Sequence, residues 1–502
     1  MASKHRPLMV LGTGSHVGKS VVTAGLCRLF KRQGIRVVPF KAQNMALNSG
    51  ITPDGLEMGR AQITQAEAAG LAPHIDMNPI LLKPTSQVGS QVVLMGKALG
   101  NYAGADYHKL KSRLVRQVMA AFRRLQDQYD LVVMEGAGSC AEMNLKKHDL
   151  VNLPMARRAG AHCVLVADID AGGVFAQVAG TISLLTPTER KMITGVIINK
   201  FRGDPKLFQD GVAWLEKRTH KPVLGVLPKF EHIQLPQEDG VALERGELQG
   251  PSGLVRIGVV RLSHISNYTD ADCLSAEHEA VSLRWVERPE ELAGLDLLIL
   301  PGSKNTLAAL AGLKKSGLFE AIRSYHSLGG RLLGLCGGYQ LLGLSVADPL
   351  GVEGPPAEDD ALGLLPVRTV MAGEKTTALV EAKCQPALPF TTSDALRGYE
   401  IHMGETTPLG DSRPAFKLTK RVDQPVSIDD GQISPDGRAV GTYLHGILDN
   451  DDLRAALLAW AGGGDVVPSA DYAVFKDQQY DLLADLFEEH LNIELLLQPA
   501  SN

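Results

Sequence analysis

The apolar run Leu8–Leu11 stops at Gly12-Thr-Gly14-Ser-His-Val-Gly18-Lys19-Ser20, and a helical pattern over residues 19–33 begins inside that glycine-rich segment. Few folds accept this order. A buried strand, a loop of backbone N–H groups and a helix N-terminus must follow one another, which is the opening βαβ unit of a parallel sheet. The first half keeps the rhythm: Ile35–Phe40, Leu131–Met134, Cys163–Ala167 and Ile193–Ile198 are short apolar runs that end in polar or glycine-rich residues. It fades after Pro228, and a second series starts at Val255–Val260, with Leu297–Leu300 and Arg331–Leu335 as its clearest strands. A length of 502 residues, at roughly 150 per domain, has room for both. The expectation is a doubly wound domain over 1–232, a Gly- and Pro-broken linker over 233–252, and a second α/β domain over 253–502. Residues 453–502 read as amphipathic helices packed on that second domain.

Composition narrows the function classes. The 56 acids against 51 Lys plus Arg leave a net charge of −5, with no field to draw nucleic acid or anionic lipid, and 5% aromatics make a poor stacking platform. The six cysteines lie far apart with no CxxC pair, which argues against a zinc ribbon or disulfide framework and suits a reducing cytoplasm. Leu8–Leu11 is too short for a signal-peptide core, and no stretch approaches the ~18 apolar residues of a membrane span.

In the glycine-rich loop, backbone N–H groups around Thr13, Gly14, Val17 and Gly18 would cradle nucleotide phosphates. Lys19 would reach the β/γ phosphates and the Ser20 hydroxyl would sit on Mg²⁺, although Thr13 and the glycines at 12 and 14 depart from the simplest spacing of such loops. Ligands of open α/β sheets gather at the carboxyl edge of the strands. Glu135, ending a buried strand before Gly-Ala-Gly-Ser139, is therefore a second metal ligand or else a solvated strand-end carboxylate. Lys41 either contacts the transferred phosphate or is a surface lysine; Asp168 and Asp170 would serve metal or substrate; Asn199 reads a base edge or simply forms a turn.

The second series carries a different chemistry. Leu332-Leu-Gly-Leu335-Cys336-Gly337-Gly338 places a cysteine between a strand and a helix, where flanking glycines permit a strained turn and the helix N-terminus favours the thiolate. The N–H of Gly337 suits an oxyanion hole, with a second donor in Pro301-Gly302-Ser303, and His445 in Thr-Tyr-Leu-His445-Gly446 would be the base. A nucleotide site joined to a cysteine hydrolase implies ammonia release from glutamine at Cys336, coupled to ATP activation of a carboxylate as an acyl phosphate. Neither half needs a tightly bound organic cofactor; ATP and Mg²⁺ suffice.

Over essentially the whole chain these motifs resemble a known group. The first half is similar to dethiobiotin-synthetase-like P-loop proteins and the second to class I glutamine amidotransferases. Lys41-Ala-Gln43-Asn44-Met-Ala-Leu-Asn48-Ser49, Gly136-Ala-Gly-Ser139, Asp168-Ile-Asp170 with Gly172-Gly-Val-Phe175, and Gly398-Tyr-Glu400-Ile-His402 resemble the cobyric acid synthase family. The resemblance implies amidation of the b, d, e and g carboxylates of adenosylcobyrinic acid a,c-diamide, with Cys336 as nucleophile, His445 as base, and Gln43, Asn44 and Asn48 lining the corrinoid side or making turn and cap hydrogen bonds. Ile447 stands where many amidotransferases carry a Glu that orients the histidine, so Asp449 and Glu400 are candidates for that task, or the histidine acts in a dyad. The alternatives are a cobyrinic acid a,c-diamide synthase, a cell-wall-type amidotransferase, and a P-loop switch ATPase with a degenerate hydrolase domain.

Overall fold

In the computed structural model, which describes residues 5–84, 89–103, 111–230, 232–236, 255–464 and 471–497, the apolar runs become strands of two sheets, one parallel throughout and one parallel but for an antiparallel edge. β1 (Leu8–Gly12) leads through the glycine loop into α1 (Lys19–Arg32) and on to β2 (Val37–Phe40). There follow β3 (Gln43–Met45), β4 (Ser49–Ile51), β5 (Glu57–Gly59), α2 (Arg60–Ala68), β6 (Ile80–Pro84), β7 (Gly89–Leu94) and β8 (Lys97–Ala103). The first sheet resumes with β9 (Leu131–Glu135), β10 (His162–Asp168), β11 (Ile193–Phe201) and β12 (Val223–Pro228). Its order is β12-β11-β10-β1-β9-β2, parallel at every pairing. Every residue of β1, β2, β9 and β10 is buried, which is why their sequences are continuous apolar runs rather than alternating ones. The insertion of residues 43–103 adds a four-stranded sheet, β3-β6-β7-β8, and the β4–β5 ribbon, and neither showed as a periodic pattern.

The second sheet uses β13 (Val255–Val260), β14 (Val281–Val286), β15 (Leu297–Leu300) and β16 (Arg331–Leu335). A further sheet then forms from β17 (Ser345–Asp348), β18 (Ala357–Asp360), β19 (Val367–Cys384), β20 (Leu396–Pro408), β21 (Phe416–Arg421) and β22 (Gln424–Asp430). The chain returns through β23 (Gln432–Ile433) and β24 (Ala439–Thr442) to complete the order β14-β13-β15-β16-β24-β23, and β25 (Leu444–His445) pairs with β20. The loop expected at 348–362 contains β18, paired antiparallel with β17. Most of the 233–252 linker lies outside the described residues.

The C-terminal helices correct an expectation. The helix Asp451–Leu458 packs on the second domain through Leu453, Leu457 and Leu458, but Tyr472–His490 crosses to the first, burying Tyr480, Leu483, Ala484 and Phe487 among Leu8, Val10, Leu26 and Phe30. Arg28 on α1, 4% exposed, donates to Asp477 and Asp481 across this contact. The physical reason lies in α1, whose residues 22–30 are all buried. A helix covered on every side needs a second layer outside it, and the returning C-terminus is that layer. Among the described residues no helix is long and apolar enough to cross a membrane.

Candidate active sites

The glycine loop sits at the carboxyl end of β1, in the crevice where strand order turns back between β9 and β10. Gly18 takes φ +95° at the N-cap of α1, and a Cβ there would fall 2.2 Å from Asn199 Nδ2. Only glycine fits that close approach. Asn199 donates to the Val17 carbonyl at 2.9 Å, so it braces the loop from beneath. Thr13 is tied by its N–H to Val166 O (3.0 Å) and by its hydroxyl to Gln177 Oε1 (3.2 Å). Lys19 curls back to donate to Gly14 O (2.8 Å) and Gly138 O (2.9 Å), joining the loop to the turn after β9.

Glu135 is 1% exposed, not a solvated strand end, and it gathers the rest of the site. Its Oε1 accepts from Ser20 Oγ at 2.8 Å and Lys41 Nζ at 2.9 Å, and its Oε2 from Gln65 Nε2 at 2.7 Å. Burial would raise its pKa, but Lys41, with the hydrogen bonds from Gln65 and Ser20, holds the carboxyl below its ordinary value. Lys41 is 5% exposed, so it is no surface lysine. A hydroxyl and a carboxylate in contact are hard oxygen donors that fit Mg²⁺ completed by water and phosphate oxygens. Asp168 and Asp170 are committed nearby, the first to Lys200 (2.8 Å) and to backbone N–H groups of its own loop, the second to Arg202 and Lys229. Of the three expected substrate residues, Asn44 and Asn48 are each 2% exposed and Gln43 is half-buried on β3. Asn44 Nδ2 donates to Gln62 Oε1 at 2.9 Å, and Asn48 O accepts the Arg60 N–H at 3.2 Å.

Cys336 stands at the end of β16 with φ +52° and ψ −107°, a conformation that costs a non-glycine residue and recurs where a nucleophile is thrust into a cleft. The glycines after it are steric necessities: a Cβ on Gly337 would fall 2.6 Å from Ser303 N, and one on Gly338 1.9 Å from Leu300 O. The 301–303 turn thus presses against the cysteine turn, and a Cβ on Gly302 would lie 3.3 Å from His445 Cε1, so this turn borders both the cysteine turn and the histidine. β25 pairs with β20 in register Tyr399↔His445, and Tyr399 stacks on the imidazole with centroids 5.3 Å apart, which places the Gly398–His402 motif against the site.

His445 Nδ1–H donates to Asp270 Oδ2 at 2.6 Å, and Asp270 Oδ1 accepts the Gly446 N–H at 2.7 Å. Neither expected orienter does this: Glu400 is held by Arg421 in a two-bonded pair, and Asp449 does not bond the imidazole. Asp270 went unseen because 175 residues separate it from His445 and nothing around Tyr268-Thr-Asp270 marks it. Burial alone would lower the imidazole's pKa, but the Asp270 carboxylate, assisted by the nearby Cys336 sulfur, lifts it to about 10. The imidazole therefore keeps its proton beside the Cys336 sulfur, an arrangement that suits a thiolate.

Two family models match the chain: the CobQ/CobB/MinD/ParA nucleotide binding domain over residues 8–241, and the CobB/CobQ-like glutamine amidotransferase domain over 256–453. The chain is 53% identical to a cobyric acid synthase of Syntrophobacter fumaroxidans over 98% of each protein. It is 49% identical to that of Citrobacter koseri and 48% identical to that of Salmonella typhimurium, over 97% of each protein in both cases.

Proposed function

The chain belongs to the cobyric acid synthase family, and from that premise we propose that it amidates the b, d, e and g carboxylates of adenosylcobyrinic acid a,c-diamide with ammonia drawn from glutamine, at the expense of ATP. It is an ATP-dependent glutamine amidotransferase of cobalamin biosynthesis. The observation that carries the finer reading is the presence, in one chain, of a strained cysteine beside a His–Asp pair and a phosphate loop beside a hydroxyl–carboxylate pair.

Cys336 Sγ attacks the glutamine side-chain carbonyl carbon, and N–H groups at Gly337 and the 302–303 turn receive the oxyanion. His445, kept protonated by Asp270, gives its proton to the leaving ammonia, and water then releases glutamate from the thioester. In the nucleotide domain, Lys19 and Lys41 would leave their present acceptors to bind the transferred phosphoryl group. Mg²⁺, held by Ser20 and Glu135, would neutralise phosphate charge. A corrinoid carboxylate oxygen attacks the γ-phosphorus and ADP leaves; ammonia attacks the acyl carbon and phosphate leaves. Gln43, Asn44 and Asn48 are assigned to the corrinoid side of this domain. The six free thiols suit a reducing cytoplasm.

The test is mass spectrometry of the a,c-diamide incubated with protein, ATP, Mg²⁺ and glutamine. A ladder of four OH-to-NH₂ exchanges, at b, d, e and g, ending at the a,b,c,d,e,g-hexa-amide supports the proposal. Turnover of ATP and glutamine with an unchanged corrinoid would leave the two-domain chemistry standing and reject this substrate. A cobyrinic acid a,c-diamide synthase is not favoured by relatives that are cobyric acid synthases over nearly their full length, and a switch ATPase has no use for an intact cysteine–histidine–aspartate set.

A further inference from the structure

One hydrogen-bonded piece of the nucleotide domain reaches the glutaminase. Asn267 is 2% exposed, takes φ +52°, and caps the turn Tyr268–Ala271 that carries Asp270. Its Oδ1 accepts the backbone N–H of Ser49 at 3.0 Å, across 218 residues of chain. Ser49 is itself pinned: its hydroxyl donates to Glu57 (2.9 Å) and accepts from Lys83 (2.9 Å). Glu57 pairs with Lys83 at 2.8 Å and with Lys375, which comes from β19 of the other domain, at 2.5 Å.

The same piece runs back to the phosphate site. Asn48, next to Ser49, accepts the N–H of Arg60 at the start of α2, and Gln65 on that helix donates to Glu135 beside Ser20. On the glutaminase side, the segment before Asn267 also holds the oxyanion turn, since Ser266 N–H donates to Gly302 O at 2.9 Å and Ile265 bridges to Ser303. A shift of Asn267 thus moves both the carboxylate that holds His445 and the turn that would receive the oxyanion. Its left-handed backbone is uphill for any residue with a Cβ and is kept by what the side chain touches.

We propose that Asn267 is a positioning residue through which the nucleotide domain sets the glutaminase: the Ser49 N–H, seated on Asn267, holds the Asp270 turn in its working place, and substrates bound at Glu135 and along residues 43–49 favour that seating. The ligand-dependent part rests on the function proposed above. Glutamine would then be hydrolysed fastest when the acceptor of its ammonia is loaded.

The test uses the full chain and Asn267→Gly, because glycine keeps the left-handed backbone and removes the side chain that carries the acceptor. Glutaminase kcat and KM are measured without additions, with ATP and Mg²⁺, and with ATP, Mg²⁺ and the corrinoid; amidation driven by ammonium salt is measured alongside. The expected result is a variant whose stimulated kcat falls roughly tenfold with KM little changed, whose rate no longer responds to the additions, and whose ammonia-driven amidation is intact. A variant that matches the wild type in rate and response overturns the proposal, as does a wild type indifferent to the additions. Loss of ammonia-driven amidation in the variant overturns it too, by making Asn267 merely structural. If ammonia amidates no corrinoid in the wild type, the substrate reading fails, and the kcat of N267G against wild type, with and without ATP and Mg²⁺, still decides the role of Asn267.

Discussion

The two sites of this chain stand in opposite states of readiness. At the cysteine the strain is already present, the imidazole is already held by Asp270, and the adjoining turns are locked by close backbone approaches. At the phosphate loop the cations are spent on protein: Lys19 on two carbonyls and Lys41 on Glu135. On the proposed function, the first site is preorganised for glutamine, a small zwitterion of no net charge, whereas the second must exchange partners when a polyanion arrives. Preorganisation accelerates a reaction because no group must turn at the moment charge develops. Exchange of partners prevents a buried lysine from standing unpaired between turnovers.

The sharpest way to break this comparison is to remove each head group and ask what survives. Cys336→Ala is expected to lower glutamine-dependent amidation at least about ten-thousandfold while ammonia-driven amidation persists. The mirror variant Lys19→Ala is expected to lower ammonia-driven amidation by roughly a hundred- to a thousandfold, with unstimulated glutaminase retained. Parallel assays with glutamine and with ammonium salt separate the two. If either variant silenced both activities, the sites would not be the independent chemistries their geometry describes.

What sequence disclosed follows the same division. Leu8–Gly12, Leu131–Glu135 and Arg331–Leu335 were legible because strands buried on both faces must be unbroken apolar runs. The phosphate loop and the Cys336 turn were legible because each is a tight turn of consecutive residues between strand and helix, which leaves glycines in the sequence. Asp270, Gln65 and Asn267 were not, since each acts by one side chain on a residue distant in the chain, with no period or spacing to mark it. The C-terminal helix was misplaced because the sequence of Tyr472–His490 does not say which domain it faces; only the burial of α1 over residues 22–30, Arg28 included, shows that this helix needed a cover.

A finer test bears on the readiness of the cysteine site. Asp270, with a smaller share from Cys336, raises the His445 pKa to about 10, so removing Asp270 must lower it, and the imidazolium proposed to protonate the leaving ammonia would then be lost at lower pH. Asp270→Asn is expected to cost roughly a hundredfold in glutaminase kcat and to move the alkaline limb of the pH–rate profile downward. A lower rate with an unmoved alkaline limb would show that Asp270 only supports the fold.

The smallest expected effect lies between the two sites. Burial lowers the pKa of Lys375 from 10.5 to about 7, and Glu57, which burial would raise, is held well below the carboxylate range by Lys375 and Lys83. Replacing Lys375 by Met leaves Glu57 with Lys83 alone, and a buried carboxylate that loses one of two cations is expected to cost ~1–3 kcal/mol of stability. The pH dependence carries its own sign. Between about pH 7 and 10.5 the unfolded chain binds a proton at Lys375 that the folded chain releases, so this lysine makes stability rise with pH across that window. Lys375→Met removes that rise, and its deficit in thermal midpoint should therefore widen from the neutral to the alkaline end. A deficit that instead narrowed would mean that Lys375 stays fully charged in its buried pair and that the contact between the domains is a plain salt bridge.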